Sequence, residues 1–117
     1  MRRSQKIRNR LSNFVVLYLN IRGVKCKYDS LLTKIDEIGP TVVCLTETHL
    51  HPLEKFEIDG FAEPFRNDRD NMGGGSMILV RKEIEHICTI AEKKREVSES
   101  LWVVIDNNQV KIRLGLI

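Results

Sequence analysis

The chain has 117 residues, of which 42% are hydrophobic and 30% charged, and its formal net charge is +3. This length suits one domain, and the composition excludes collagen-like, low-complexity and wholly disordered proteins. The apolar run over residues 14–19 is far shorter than the roughly 20 residues that cross a bilayer. Ser12 and Asn13 interrupt the apolar stretch and no small-residue cleavage site follows, so we expect no secretory signal. An intracellular protein of the nucleus or cytoplasm, with no membrane partner, is therefore expected.

Positive charge is concentrated at the start of the chain. Residues 1–10 hold five of the 19 basic residues, Arg2 and Arg3 among them, and no acidic one. The remaining residues hold 14 basic and 16 acidic side chains, a net charge of −2. This asymmetry predicts a basic flexible tail over residues 1–13 and a folded domain over residues 14–117. The tail is either a solvated arm or a weak, salt-dependent contact for nucleic-acid phosphates.

The three cysteines indicate neither disulfides nor zinc. Cys26, Cys44 and Cys88 are an odd number, lie far apart and form no Cys-x-x-Cys pair. Cys44 lies inside an apolar run, which predicts a buried, unreactive thiol.

The first part of the chain predicts a βαβ unit. Residues 14–19 are apolar and β-branched, which is typical of a strand buried on both faces. A helix follows with Asp29 or Ser30 as its N-cap, and Gly39 with the next proline ends it. Spacings of three and four place the apolar residues on one helix face: Leu31, Leu32, Ile35 and Ile38. Residues 41–46 predict a second buried strand, parallel to the first and joined by a right-handed crossover.

The rest of the chain predicts mostly antiparallel strands. Residues 50–75 look irregular, and residues 76–80 predict a third strand after a glycine triplet. The alternating pattern of residues 84–90 favours a further strand, with a helical turn near Glu83 as the alternative. Residues 101–114 predict a hairpin, with Trp102 in the core.

Two polar residues follow the predicted parallel strands. Asn20 lies at the carboxyl edge of the first strand and Glu47 at that of the second. Ligands of open α/β sheets gather at this edge, and neighbouring strands are only about 4.8 Å apart. A carboxylate and a carboxamide suit a hard cation such as Mg²⁺. The alternative is that both residues are ordinary polar residues at loop edges.

Three segments in this order resemble one known family. The segments are Leu-Asn-Ile-Arg-Gly over residues 19–23, Val-Cys-Leu-Thr-Glu-Thr-His-Leu over residues 43–50 and Gly-Gly-Gly-Ser-Met-Ile-Leu over residues 73–79. Together with Glu-Ser-Leu-Trp at 99–102, they are similar to the endonuclease/exonuclease/phosphatase superfamily. Within it, they most resemble the apurinic/apyrimidinic-type endonuclease domain of non-LTR retrotransposons. The resemblance implies the α/β fold of this superfamily, here the N-terminal half of a two-sheet α/β sandwich that starts β-α-β and continues with mostly antiparallel strands.

The resemblance also implies roles for individual residues. Glu47 matches the glutamate that binds the catalytic Mg²⁺, for which Mn²⁺ is a possible substitute, and Asn20 matches an asparagine that supports the metal–phosphate site. Arg22 falls where repair enzymes of the superfamily often carry an Asp or Asn near the metal. Arg22 is therefore either a phosphate contact or a solvated loop charge. Arg2 and Arg3 are weaker candidates for contacts with nucleic-acid phosphates. His49 lies two residues past Glu47, but the family gives it no metal role.

The implied chemistry is metal-dependent nicking of DNA. The family's water-activating Asp, its Tyr segment, its Asp-x-Asn pair and its late Ser/Asp-His pair belong to the second half of the fold, expected beyond residue 117. We therefore expect a catalytically incomplete fragment whose partners are DNA and either the missing C-terminal half or the reverse transcriptase of the same element. One alternative is a noncatalytic nucleic-acid-binding or interaction module that uses the basic tail. Another is a phosphoinositide or sphingolipid phosphodiesterase of the same superfamily, although Arg22 and the Thr-Glu-Thr-His sequence count against it.

Overall fold

Strands dominate the described part of the chain. The computed structural model describes residues 14–69, 73–94, 100–106 and 111–116, so the predicted tail with Arg2 and Arg3 lies outside the described residues. The elements in chain order are β1 (Val16–Asn20), α1 (Tyr28–Ile38), β2 (Val42–Thr46), β3 (Phe65–Asn67), β4 (Ser76–Val80), a 3₁₀ helix (Lys82–Ile87), β5 (Cys88–Lys94), β6 (Ser100–Asp106) and β7 (Lys111–Leu116).

The strands form two sheets, as predicted. The first has four strands in the order β1-β2-β4-β3, and the second has three in the order β5-β6-β7. β1 and β2 are parallel, whereas every other described pair is antiparallel. The predicted βαβ start, the third strand and the closing hairpin are therefore confirmed, and the whole is the mixed α/β fold expected from the sequence.

The first core lies between α1 and one face of the first sheet. Leu31 and Ile35 of the helix pack there against alternate residues of the strands, such as Leu17 and Leu45. Leu32 is partly buried in the same cluster, but Ile38 is 43% exposed and lies outside it. The predicted apolar helix face is thus confirmed except at its last turn.

The helix begins earlier than predicted. Lys27 is its N-cap residue, with no side-chain hydrogen bond to the helix, and Asp29 lies in the first turn instead of capping it. Tertiary contacts hold the early start: the Tyr28 ring stands edge-on to Phe56 at 5.8 Å, and its hydroxyl donates to the Glu57 carbonyl. Gly39 ends the helix in the left-handed conformation, as predicted.

The second core lies between the two sheets. The alternate residues of β2 and β4, such as Cys44 and Ile78, meet Leu101, Val103 and Ile105 of β6 there. β6 packs against β3 and β4, away from β1. β2 is therefore buried on both faces, but Val16 and Tyr18 of β1 are 39% and 56% exposed. The prediction of a β1 buried on both faces is wrong because the second sheet does not extend over it.

Two further predictions need correction. Residues 50–75 contain a strand, β3, that pairs with β4 although only three residues long. For residues 84–90 the alternative is confirmed in the first part: the 3₁₀ helix, whose Ile84 is buried, is the helical turn near Glu83, and the strand, β5, begins only at Cys88. An alternating pattern also arises when a short helical turn buries one residue and a strand follows, so periodicity over seven residues does not separate the two.

Trp102 lies on the outer face of the second sheet and not in the core. Leu101 and Val103, its neighbours in β6, fill the inner face, and Trp102 is half-buried on the other side. Its ring covers Gly115 of β7, the residue opposite it in the register, and the Arg113 guanidinium lies 5.0 Å from the ring centroid. The aromatic ring thus covers a glycine that has no side chain to pack.

Cys44 is buried, as the sequence predicts. All three cysteines are free; Cys26 is exposed, whereas Cys44 and Cys88 are buried. Burial raises the pKa of Cys44 to about 11. Burial, with a smaller contribution from the charge of Glu85, raises the pKa of Cys88 to about 12. None of the helices in the described ranges is long and apolar enough to cross a membrane.

Gly115→Ala should destabilise the second sheet. A Cβ at this position would lie 2.4–2.5 Å from three atoms of the Trp102 ring. Overpacking of this kind costs about 1–3 kcal/mol. We expect a loss of that size in the free energy of unfolding, measured by urea denaturation.

The Trp102→Ala background is the matched control for this substitution. There the ring is absent, so Gly115→Ala should cost much less than in the wild-type chain. An equal cost in both backgrounds would show that the ring does not lie over Gly115.

Candidate functional site

Asn20 and Glu47 come together because β1 and β2 are neighbours. The two strands run in register, with Asn20 opposite Thr46, and Glu47 is the next residue along the chain. Both residues therefore end up at the same carboxyl edge of the sheet, as the sequence predicts. This is the edge where open α/β sheets bind their ligands.

Backbone hydrogen bonds continue past the strand ends and hold Glu47 in place. The amide of Gly23 donates to the Glu47 carbonyl at 2.8 Å, and that of Val24 donates to the Thr48 carbonyl at 3.0 Å. On the other side, the amides of Thr48 and His49 donate to the carbonyls of Gly75 and Gly74. The segment after β2 is thus fixed between the loop that follows β1 and the glycine loop that precedes β4.

The same edge carries unusual backbone conformations. Arg22, Glu47 and His49 have positive φ angles of 49°, 55° and 57°. Positive φ is uncommon for residues other than glycine, and such strain persists only where surrounding contacts hold it. Strained residues cluster at functional sites. Strain at Glu47 itself, together with the bonds that hold it, supports a functional role for this edge.

A cleft of about 460 Å³ opens at this edge, and we call it the carboxyl-edge cleft. The parallel strands and the residue after β2 contribute four of its lining residues: Tyr18, Asn20, Thr46 and Glu47. The segments around the β3–β4 connection contribute the others: Arg69, Gly74, Gly75 and Ser76. The Tyr18 hydroxyl and Thr46 Oγ1 are hydrogen-bonded at 3.1 Å. The two residues predicted for the metal site thus line one cleft.

The other candidate residues lie around the cleft. His49 Nε2 is 4.0 Å from Glu47 Oε1. Arg22 is exposed at the same edge, but the cleft lining does not include it, and its carbonyl accepts a hydrogen bond from Lys27 Nζ. Arg2 and Arg3 lie outside the described residues.

Sequence reasoning missed Arg69, which also lines the cleft. It belongs to a stretch that looks irregular in the sequence, 22 positions after Glu47. Only the pairing of β3 with β4 brings it to the carboxyl edge. The one signal in the sequence is a basic residue close to the glycine triplet, which is too common a pattern to mark a site.

The donor set of the cleft is small. Within the described ranges, no three His, Cys, Asp or Glu side chains lie close enough together to hold a metal ion. Glu47 and Asn20 offer a carboxylate and an amide oxygen, both hard donors. Mg²⁺ keeps several water ligands and is otherwise held by one or two carboxylates and by substrate phosphates. Glu47 and Asn20 therefore fit as the ligands that the protein supplies to such a site.

A comparison with protein families gives a match over most of the chain. A model of the endonuclease/exonuclease/phosphatase family matches residues 17–115. The chain therefore belongs to this family, as the sequence resemblance implies. Family members generally use divalent metal ions, and enzymes that act on nucleic acids are among them. Membership supports a function of the nuclease or phosphodiesterase type. A search among curated proteins returns no match to this chain.

Thr48→Val should stabilise the protein. Thr48 is 1% exposed, and its Oγ1 has no hydrogen-bond partner among the described residues. A buried hydroxyl without a partner carries a desolvation cost of about 1–3 kcal/mol, which the isosteric valine removes. We expect the free energy of unfolding to rise by about 1 kcal/mol in urea denaturation.

Thr48→Ser is the control, since it keeps the hydroxyl and removes only the buried methyl group. It should lower the free energy of unfolding. If Thr48→Val were the more destabilising of the two, Oγ1 would have a partner at this edge after all.

Proposed function

We propose that the chain is part of a metal-dependent phosphodiesterase that nicks DNA, of the branch found in non-LTR retrotransposons. The observation that carries this proposal is that Asn20 and Glu47 line one cleft at the carboxyl edge of two parallel strands. Arg22 supports the retrotransposon branch, because it stands where repair enzymes often carry an acidic or amide residue. The intracellular location inferred from the sequence belongs to the same proposal.

Glu47 and Asn20 are the residues that would hold the metal ion, with Mg²⁺ the natural ion and Mn²⁺ a substitute. The ion would neutralise the negative charge that builds up on the phosphate during hydrolysis. Glu47 contributes a carboxylate on a backbone that is hydrogen-bonded on both sides, so little reorganisation is needed to bind a cation. Asn20 contributes a neutral oxygen from the neighbouring strand, which orients the ligand without adding charge.

The described residues that line this cleft include no second carboxylate that could activate water. Glu47 is the only carboxylate among the described residues that line it. A carboxylate that binds a metal ion is not free to accept a proton from the attacking water. We therefore propose that the 117 residues bind metal and DNA but do not cleave DNA alone. A C-terminal half, or the reverse transcriptase of the same element, would be the partner that completes the site.

Glu47→Gln should weaken metal binding at least tenfold. It removes the one negative charge in the proposed donor set while keeping the size of the side chain. Binding of Mn²⁺, as a paramagnetic substitute for Mg²⁺, is measured by electron paramagnetic resonance on the full chain. Asn20→Ala should weaken binding less, since it removes a neutral ligand.

Glu37→Gln is the control for charge alone, because Glu37 is exposed on α1, on the other face of the sheet. It should leave Mn²⁺ binding unchanged. Equal binding by the wild type, Glu47→Gln and Glu37→Gln would refute the metal site. Nicking activity is measured with supercoiled plasmid and Mg²⁺. If the wild-type chain nicks the plasmid and Glu47→Gln does not, the chain is catalytically complete, and the metal site stands.

The basic N-terminus supports a second candidate, a noncatalytic nucleic-acid-binding module. Deletion of residues 1–10 removes five positive charges and no negative one. If this segment is the main contact, deletion should nearly abolish binding of a labelled DNA duplex and flatten its salt dependence. Fluorescence anisotropy measures both, and an unchanged affinity would eliminate the second candidate.

A further inference from the structure

Among the described residues that line the carboxyl-edge cleft, Arg69 carries the positive charge. It lies two positions after the end of β3 and lines the cleft together with Asn20 and Glu47. Glu47 and Arg69 are oppositely charged residues contributed by separate segments of the chain. A phosphate group in this cleft would be repelled by Glu47 alone, so a cation from the protein changes which ligands the cleft accepts.

The segment before Arg69 is anchored by buried polar groups. Asn67 is fully buried and pairs in register with Ser76, which lines the same cleft. Asp68 is 5% exposed; its Oδ2 accepts a hydrogen bond from Arg66 Nε at 2.9 Å and forms an ion pair with Arg66 Nη2 at 2.8 Å. Asn67 and Asp68 are both buried, and Arg69 is the first exposed residue after β3.

Arg66 ties this segment to a second loop. Its Nη1 donates to the Glu54 carbonyl at 2.6 Å, and its Nη2 donates to the His51 carbonyl at 3.1 Å. The Arg66 side chain is only 17% exposed, so these bonds are largely shielded from water. The path of the backbone into Arg69 is therefore determined by contacts outside the cleft.

The glycine loop leaves the cleft open next to Arg69. Gly74 and Gly75 line it with bare backbone. A Cβ on Gly75 would lie 2.6 Å from Thr48 Oγ1 and 3.9 Å from the Cα of Asp68, so the glycine lets three segments approach closely. Its φ of +91° also requires glycine.

We propose that Arg69 binds a backbone phosphate of the nucleic acid, beside the metal-binding Glu47. This inference rests on the proposed function for the identity of the substrate. A guanidinium offers two parallel N–H donors that match the two non-bridging oxygens of a phosphodiester. Arg69 and the proposed metal ligands Glu47 and Asn20 line the same cleft, which brings them to one bound phosphate. Arg69 is therefore a positioning residue for the scissile DNA strand. Arg22 lies outside the cleft in which that strand would bind.

Arg69→Gln should weaken DNA binding about tenfold, the effect of losing one hydrogen bond to a charged group. The probe is a fluorescein-labelled DNA duplex of about 20 base pairs, titrated with the full chain in Mg²⁺ and followed by fluorescence anisotropy at several salt concentrations. The slope of log K against log salt should become shallower by about 0.9, the value for one phosphate contact. Arg69→Lys should keep the slope and lose only a few-fold in affinity, since it keeps the charge but not the fork.

Lys34→Gln is the matched control. Lys34 is exposed on α1, which packs on the opposite face of the first sheet, and the substitution removes the same charge. It should leave the slope unchanged. Equal affinities and slopes for Arg69→Gln and Lys34→Gln would overturn the proposal.

Mn²⁺ binding separates this inference from the metal site. Arg69→Gln should bind Mn²⁺ at least as well as the wild type, because it removes a nearby positive charge. A changed DNA slope with intact Mn²⁺ binding supports Arg69 as a phosphate contact. If Glu47→Gln does not affect Mn²⁺ binding while Arg69→Gln still changes the slope, the metal site is wrong and the phosphate contact stands. If Arg69→Gln lowers Mn²⁺ and DNA binding together, and Arg69→Lys restores neither, the residue is structural and the proposal fails.

Discussion

The parallel pairing of β1 with β2 is the contact on which the candidate site depends. It places Asn20 opposite Thr46, so that an amide from one strand and a carboxylate just after the other reach the same edge. A shift of one residue would turn Asn20 toward α1 and remove it from the cleft, because side chains alternate between the faces of a strand. The core residues of α1 oppose such a shift, since it would expose Leu17 and bury Tyr18 against the helix.

The loops beyond the strands turn this pairing into a defined cleft. The segment after β2 is hydrogen-bonded to the loop after β1 on one side and to Gly74 and Gly75 on the other. These bonds hold Glu47 and His49 at positive φ, a conformation they would rarely adopt in a free loop. Gly75 is needed because three segments meet there, and a Cβ at this position would lie 2.6 Å from Thr48 Oγ1. The position of Glu47 therefore depends on all the segments that meet at this edge of the sheet.

The second sheet explains why the cleft is open. β6 covers β3 and β4, but Tyr18 of β1, which lines the cleft, remains 56% exposed. The sequence of β1 does not reveal this, because an apolar, β-branched strand looks the same whether or not a second layer covers it. The same limit applies to Trp102, whose apolar character predicts burial but not on which side of β6 it lies. The short β3 could not be predicted either, since it is held as a strand by β4 and not by its own composition.

What the sequence determined by itself was local and periodic: the βαβ start, the glycine end of the helix, the closing hairpin, and the place of Asn20 and Glu47 at strand ends. Those features follow from residue preferences and spacing within a few positions, so no distant contact is needed to find them. Tertiary structure alone decided the early start of α1, the exposed side of β1 and the presence of Arg69 beside Glu47. Each depends on which segments pack together across long stretches of chain, and a single sequence does not encode that choice in any local pattern.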